Sequence, residues 1–326
     1  MRVLVNGFGR IGRTILRQLL TTRTDSGITV AGINDIAPLD MCAYLFAYDS
    51  VFGPYPGVVG QADGYLMIDG ATIPVSHAAD LSTLDLRCID LVLDCTGIAR
   101  TADIAARGLA AGAGAVLISG PSPAAEVTVV LGANDADLGD ARIVSNASCT
   151  TNALAPLLRH LDTALGVVAG HMTTIHCYTS SQPMTDAPRG DFARSRAGAL
   201  SMVPTTTSAA ALVTQVLPHL AGRLTASAVR VPVASVSAID LTATVDRAVT
   251  TEGFRDLLAA ADPALIGTTA LPLVSSDLRG RPESLIVALP ECFATTPHQI
   301  RVFGWYDNEW GFSARMIDMA VRMGHR

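Results

Sequence analysis

The 326-residue sequence contains no lysine, so all 23 of its Lys-plus-Arg positions are arginine. A Schiff-base mechanism and a lysine phosphate clamp are thereby excluded, and any bound anion must be held by arginine, backbone N–H groups or hydroxyls. Charge is scarce as well: charged residues make up 16% of the chain against 49% hydrophobic. Such an Ala- and Val-rich chain has ample core material and is expected to hide further surface in an oligomer. The net charge of −6 argues against a nucleic-acid-binding surface. Cysteines at 42, 88, 95, 149, 177 and 292 form no C-x-x-C pair and no small-scaffold framework, so the reading assigns reduced thiols and no metal site. No apolar stretch approaches the ~20 residues a membrane helix needs, and Met1-Arg2-Val3-Leu4-Val5 has no signal-peptide layout. The expectation is a soluble, cytoplasmic protein without membrane or nucleic-acid partners, long enough for two domains.

What is present centres on Ser145-Asn146-Ala147-Ser148-Cys149-Thr150-Thr151-Asn152, which follows an apolar run and opens a helical pattern at Leu154, Leu157, Leu158 and Leu161. With Ser148 as N-cap, Cys149 falls in the first helical turn, where free N–H groups and the helix dipole favour an anion. A thiolate near neutral pH is the expectation there. Most lone cysteines are inert core packing, but this one sits among small polar residues that hydrogen-bond well.

At the N-terminus, the β-prone run Arg2 to Val5 meets Asn6-Gly7-Phe8-Gly9-Arg10-Ile11-Gly12, after which Ile15, Leu16, Leu19 and Leu20 recur at helical spacing. Strand, Gly-x-Gly-x-x-Gly, helix is a dinucleotide fingerprint: tight turn, close backbone approach to a pyrophosphate, close helix packing. A second strand, Ile28 to Ile33, ends in Asn34-Asp35. Asp35 there either holds an adenine ribose, repelling a 2′-phosphate and so selecting NAD, or caps the next helix. Further strands at Leu91 to Leu93, Ala115 to Ile118, Val127 to Leu131 and Arg142 to Val144, with helices at Pro38 to Leu45 and Ala102 to Ala113, predict an α/β doubly wound (Rossmann) parallel sheet. Thr96-Gly97 and Ser119 lie at carboxyl ends of its strands, where a cofactor crosses such a sheet.

Beyond Cys149 the pattern changes to long alternating strands: His171 to Tyr178, Val229 to Val233, Val236 to Val245, Ser284 to Leu289 and Ile300 to Tyr306, with helices at Ala209 to Leu217 and Thr251 to Ala261. This predicts an α+β catalytic domain on a mixed sheet. The expected division is 1–147, completed by a C-terminal helix over 310–326, and 148–309. A thiolate needs a base, and His176 lies in a β-prone run just before an irregular stretch, Thr179 to Arg194, too long for a casual connection; a structural histidine is the alternative. Cys177, its strand neighbour, must face the other way. Arg230, in the apolar strand Ala228-Val229-Arg230-Val231-Pro232, is costly to bury without a partner and reads as an anion clamp. Arg196 reads equally as a clamp or a solvated charge.

In order along the chain, Asn6 to Arg13, Asn34-Asp35, Tyr48-Asp49-Ser50, Ser145 to Asn152, His176 with Tyr178-Thr179, Arg230-Val231-Pro232 and Trp305-Tyr306-Asp307-Asn308-Glu309-Trp310-Gly311 together resemble the glyceraldehyde-3-phosphate dehydrogenase family. The resemblance implies a Cys149 thiolate attacking an aldehyde with His176 as base, hydride transfer to NAD, and attack of inorganic phosphate on the resulting thioester. It further implies that Asn308 orients the nicotinamide amide, that Thr179 and Arg230 hold the substrate phosphate, that Ser148, Thr150, Thr207, Ser208 and Arg196 line the pocket of the attacking one, and that the protein is a homotetramer. The chain departs from the family pattern at Ala153, where a second cysteine is common, at Ser208 for glycine, at Leu200 to Val203, at Ser119-Gly120-Pro121 and at Phe312. Ala153 removes the intramolecular oxidation partner usual there. The changes around Thr207 leave open a specialised paralogue acting on erythrose 4-phosphate, or one using arsenate or another oxyanion. A reductase of the semialdehyde dehydrogenase kind and an inactive NAD-binding regulator are the remaining alternatives.

Overall fold

Parallel strands need crossover helices, and the first part of the chain supplies them in alternation. In the computed structural model, which describes residues 1–325, β1 (Arg2–Asn6) leads into α1 (Arg10–Thr21), β2 (Thr29–Asn34) and α2 (Leu39–Ala47). A short pairing of β3 (Tyr48–Asp49) with β4 (Gly53–Pro54) precedes the antiparallel run β5 (Val59–Ala62), β6 (Tyr65–Ile68) and β7 (Ala71–Ser76). Then come β8 (Leu91–Asp94), α3 (Ala102–Ala105), α4 (Arg107–Ala110), β9 (Ala115–Ile118), β10 (Val127–Thr128) and β11 (Ile143–Ser145). One sheet results, in the order β10-β11-β9-β8-β1-β2-β7-β6-β5. Its strands from β10 to β7 pair in parallel. β1 is buried from Val3 to Asn6 and β8 throughout, which is why both read as unbroken apolar runs: helices cover the two faces of a parallel sheet.

The second sheet is built from α5 (Cys149–Leu165), β12 (Val167–Cys177), β13 (Val203–Thr205), α6 (Ala209–Val216), β14 (Leu224–Val231), β15 (Ser237–Val245), α7 (Thr251–Ala259), β16 (Ile266–Thr269), β17 (Leu285–Ala288), β18 (Phe293–Thr296) and β19 (Gln299–Tyr306), and the last helix is α8 (Trp310–Gly324). Its order is β13-β14-β12-β15-β19-β17-β16, with β18 paired to β19. β12 pairs parallel with β14 and antiparallel with β15. Here burial alternates, most plainly along β19, as expected where one sheet face is solvated. The expected class is the observed one: a doubly wound unit and an α+β unit with a mixed sheet. The chain divides into two compact units, Met1–Val129 with Ala136–Ser148 and the chain from Ser313, and Val130–Asp135 with Cys149–Phe312.

Three local expectations are corrected. The single helix over Ala102 to Ala113 is two short ones bent at Ala106 (φ −84°, ψ −6°). The bend lays Gly108 against β8 and β9, where a Cβ would stand 2.9 Å from Val116 and 3.0 Å from Val92. The strand expected over Val127 to Leu131 stops at Thr128, because Asn134 and Asp135 accept the Val130 and Gly132 N–H groups that a strand would offer to a neighbour. The strand expected at Val229 to Val233 begins earlier, at Leu224, and ends at Val231, before Pro232, which has no N–H for the ladder.

The glycine turn gives a direct test of the packing. A Cβ on Gly12 would stand 2.2 Å from the Gly7 carbonyl oxygen, whereas one on Gly9 would meet nothing within 4 Å. Gly12→Ala is expected to cost more than about 2 kcal/mol, and Gly9→Ala no more than about 1 kcal/mol. Urea unfolding of the two variants checks the contrast, and equal losses would contradict it.

Candidate active site

The carboxyl ends of β1, β2 and β8 carry side chains that tie one another in place. Asn34 Nδ2 donates to Asn6 Oδ1 (2.8 Å) and Asn6 Nδ2 to Asp94 Oδ2 (3.3 Å), while Thr96 donates to Asp94 Oδ1 through its hydroxyl (2.6 Å) and its N–H (3.1 Å). Beside them runs a cleft of about 300 Å³ lined by Asn6, Gly7, Gly9, Asp35 and Thr96, among others. Gly7 holds φ +89°, and a Cβ there would collide with the Cys95–Thr96 backbone at 2.8 Å. The first turn of α1 contains no acidic residue and Gly9 makes no side-chain cap, so no carboxylate in that turn competes with an anion for the positive dipole end of the helix. With the space in front of Gly9 open, these features fit a dinucleotide pyrophosphate. Asp35 does not cap α2, whose N-cap is Pro38 without a side-chain bond; its carboxylate accepts the N–H of Phe8 and, at 2.8 Å, that of Ala37, and it lines the cleft. Other expected cofactor residues shape the loop from behind. Phe8 is buried and stacks on Phe46, Arg10 pairs with Asp49, Gly12 is buried under the turn, and Ile11 is half-buried. Gly97 is exposed at φ +73°, and the Ser119 N–H is spent on the Asp94 carbonyl.

In the other unit, α5 starts at Cys149 and β12 ends with His176 and Cys177, placing Cys149 Sγ 3.7 Å from His176 Nε2. The opposite ring nitrogen, Nδ1, lies 2.7 Å from the Cys177 carbonyl oxygen and 2.6 Å from Arg230 Nη1, which also donates to that carbonyl at 3.0 Å. Arg230 reaches this position because it is the register partner of His176 across the β12–β14 ladder. His176 is only 6% exposed. Burial, then the Arg230 charge, brings its imidazole down to about 4, with the hydrogen bond to Cys177 working the other way. Burial likewise pushes the Cys149 thiol up, against the hydrogen bond of Thr150 and the charge of Arg230. Both directions run against the charged thiolate–imidazolium form. Desolvation works against the helix start at Cys149, and the sulfur and the imidazole stand close enough for a proton to pass between them.

The expected anion-binding residues each make contacts of their own within the fold. Thr150, buried, joins Tyr306 OH at 2.9 Å, and that hydroxyl joins Thr174 at 2.8 Å, so the Thr150 side chain is engaged inside the fold. Ser148 directly precedes α5. Thr179 bonds the Ser181 hydroxyl at 2.9 Å. Thr207 accepts the Ala209 N–H at the start of α6, and Ser208, in the N-cap position, makes no side-chain cap bond. Arg196 forms an exposed pair with Asp186 (2.8 Å). Arg194, not singled out in the sequence, donates through Nε to Thr205 Oγ1 (2.6 Å) and through Nη2 to Thr206 Oγ1 (3.2 Å), beside Thr207. Nothing in the local sequence separates two arginines flanking Ser195, because the fold of the loop alone decides between them. Among the described residues no helix is long and apolar enough to cross a membrane, and no cluster of His, Cys, Asp or Glu could hold a metal ion.

Comparison with known proteins agrees over the full length of the chain. Residues 1–102 match the family model for the glyceraldehyde 3-phosphate dehydrogenase NAD binding domain and residues 148–308 that for its C-terminal domain. Proteins named glyceraldehyde-3-phosphate dehydrogenase from Xanthobacter flavus and Pseudomonas aeruginosa are 45% and 44% identical to it, each over 99% of this chain and 98% of their own length. One from Zymomonas mobilis is 43% identical over the same shares. A cleft fitted to a dinucleotide, a cysteine–histidine pair and these matches lead to one conclusion: the chain belongs to the glyceraldehyde-3-phosphate dehydrogenase family, NAD-binding domain first and C-terminal domain after it.

Proposed function

We propose that this chain catalyses the NAD-dependent, phosphorylating oxidation of glyceraldehyde 3-phosphate to 1,3-bisphosphoglycerate through a Cys149 thioester. The observation that carries the reading is the 3.7 Å approach of Cys149 Sγ to His176 Nε2, with Arg230 bonded behind the ring. The thiol passes its proton to Nε2 as sulfur adds to the aldehyde carbon, and the new alkoxide takes that proton to become the hemithioacetal hydroxyl. NAD, when bound, supplies the acceptor for the hydride of the former aldehyde C–H. His176 takes the hydroxyl proton as the hydride leaves, and the thioester remains on Cys149. Phosphate then adds to the thioester carbon, the C–S bond breaks, and the acyl phosphate departs while the sulfur regains a proton. In this reading Asp35 holds the adenine ribose and Asn308 orients the nicotinamide amide. Thr179 and Arg230 hold the substrate phosphate, and Thr207, Ser208 and Arg194 hold the attacking one.

The contacts of Arg230 give the substrate phosphate a second task. A base at Nε2 requires the ring proton on Nδ1, donated to the Cys177 carbonyl; Arg230, a donor only, can bond Nδ1 only when that nitrogen is bare. A phosphate that draws the guanidinium to itself leaves Nδ1 to Cys177 and Nε2 to the thiol. The uncommitted Ser208 side chain favours one alternative, the same chemistry with erythrose 4-phosphate or with arsenate or another oxyanion as acceptor. Phe192 and Leu200, 99% and 83% exposed, support a homotetramer in which such side chains are covered. Six free cysteines support a cytosolic setting.

Initial rates of NADH formation should be highest with glyceraldehyde 3-phosphate and should require phosphate; preference for erythrose 4-phosphate, or for arsenate at equal concentration, would move the assignment to the alternative. Cys149→Ser should keep NAD binding and lose nearly all turnover, on the order of 10³-fold or more, and substantial residual activity would remove Cys149 as nucleophile. His176 also predicts a pH effect on stability. Above its ordinary 6.5 it is neutral folded or unfolded; as pH falls towards about 4, only the unfolded chain takes the proton, and unfolding becomes easier. His176→Gln escapes this loss, so the stability difference between wild type and variant should shift by about 2 kcal/mol in the variant's favour between pH 7 and pH 5. Urea unfolding at the two pH values measures it, and a constant difference would contradict the neutral buried imidazole.

A further inference from the structure

Three neighbouring strands of the second sheet bring Cys177, Ser237 and Asn308 to one place: β12 ends at Cys177, β15 begins at Ser237, and β19 ends two residues before Asn308. All three side chains are buried. The Cys177 N–H donates to Ser237 Oγ (3.1 Å), and that hydroxyl in turn donates to Asn308 Oδ1 (3.2 Å). The Cys177 thiol donates to the same oxygen at 3.2 Å. Asn308 thus has its carbonyl end fixed by two donors, and among the described residues its Nδ2 has no hydrogen-bond partner. Reversing the amide would set its N–H groups against both donors and leave the serine hydroxyl proton without an acceptor. The residue before Ser237 is itself in an unusual state. Val236 is buried at φ +66°, a conformation costly for a β-branched side chain and found where surrounding structure imposes it.

We propose that Cys177 and Ser237 are positioning residues that lock the Asn308 amide with its N–H donors free, so that they can bond the carboxamide oxygen of the nicotinamide ring. The proposal deepens, and rests on, the reading in which Asn308 orients that ring. It assigns a task to a buried thiol that the sequence marks only as packing. Burial pushes the thiol up to about 12, so Cys177 remains a donor throughout the neutral range. A serine in its place offers the same kind of donor, whereas an alanine offers none.

The test is calorimetric titration of the full-length protein with NAD and with ADP-ribose, which has the same dinucleotide frame without the nicotinamide. Cys177→Ala and Ser237→Ala should each weaken NAD about fivefold, as expected for a lost neutral hydrogen bond, and leave ADP-ribose unchanged. Cys177→Ser should bind NAD like wild type. With a 1-deuterated aldehyde, the alanine variants should place deuterium on both faces of the reduced ring and the wild type on one. Parallel weakening of both ligands, or Cys177→Ser behaving like Cys177→Ala, would make the thiol a packing group and overturn the proposal. Asn308→Ala separates the two levels. If it weakens NAD while Cys177→Ala and Ser237→Ala do not, the positioning roles fail and the Asn308 reading stands; if it leaves NAD unchanged, the Asn308 reading itself fails.

Discussion

The parallel pairing of β12 with β14 is the constraint on which the chemistry of the second unit depends. It sets His176 opposite Arg230, and a slip of one residue would turn every side chain of either strand to the other face of the sheet. Arginine rather than lysine matters at this position. A buried lysine can shed its proton to escape desolvation, whereas a guanidinium keeps its charge and offers several donors in a fixed plane. Arg230 therefore acts on His176 as a permanent cation. It contributes to the lowered imidazole pKa and spans both Nδ1 and the neighbouring carbonyl. A chain without lysine can build this arrangement because the cation beside His176 is one that never has to release its proton.

Burial and charge pull the nucleophile in opposite directions, and burial wins. The helix start, Thr150 and Arg230 all favour a thiolate, yet the surrounding protein removes more solvation than they return, so the thiol is raised. In the proposed mechanism this gives His176 its part, taking the thiol proton as the sulfur attacks. That division of labour suits an imidazole held neutral by the same burial. One low-polarity environment thus works against the charged form of both groups.

How much of this was legible in the sequence follows from the range of each interaction. The glycine turn, the start of α5 and the strand carrying His176 are local patterns of turn chemistry, capping and alternation, and they could be read from a few neighbouring residues. Arg230 was legible because an arginine in an apolar strand needs a partner, though the identity of that partner came from the ladder register. The different surroundings of Arg194 and Arg196 were not legible, since both sit in one irregular segment and only its path sets one on Thr205 and Thr206 and the other on Asp186. The bend at Ala106 was hidden by an alanine-rich stretch whose helical propensity is high throughout. The raised Cys149 thiol was invisible for a different reason: capping and dipole are sequence-local, whereas desolvation is summed over everything that the fold brings near.

Backbone strain marks the same residues independently of their chemistry. Ala147 holds φ +54° two residues before Cys149, and Val236 holds φ +66° one residue before Ser237. Each conformation costs on the order of 1–3 kcal/mol and survives only where surrounding packing over-determines it. That packing is present, since Ala147 is fully buried and Val236 lies in a small cluster with Leu278 and Ile286. A glycine at either position would relieve the strain but enlarge the set of conformations open to the turn. The strained alanine leads to Ser148, the residue before the nucleophile, and the strained valine to the hydroxyl that bonds Asn308. Both positions therefore trade local backbone energy for a restricted direction of the side chain that follows, and the surrounding core supplies the stability that the trade consumes.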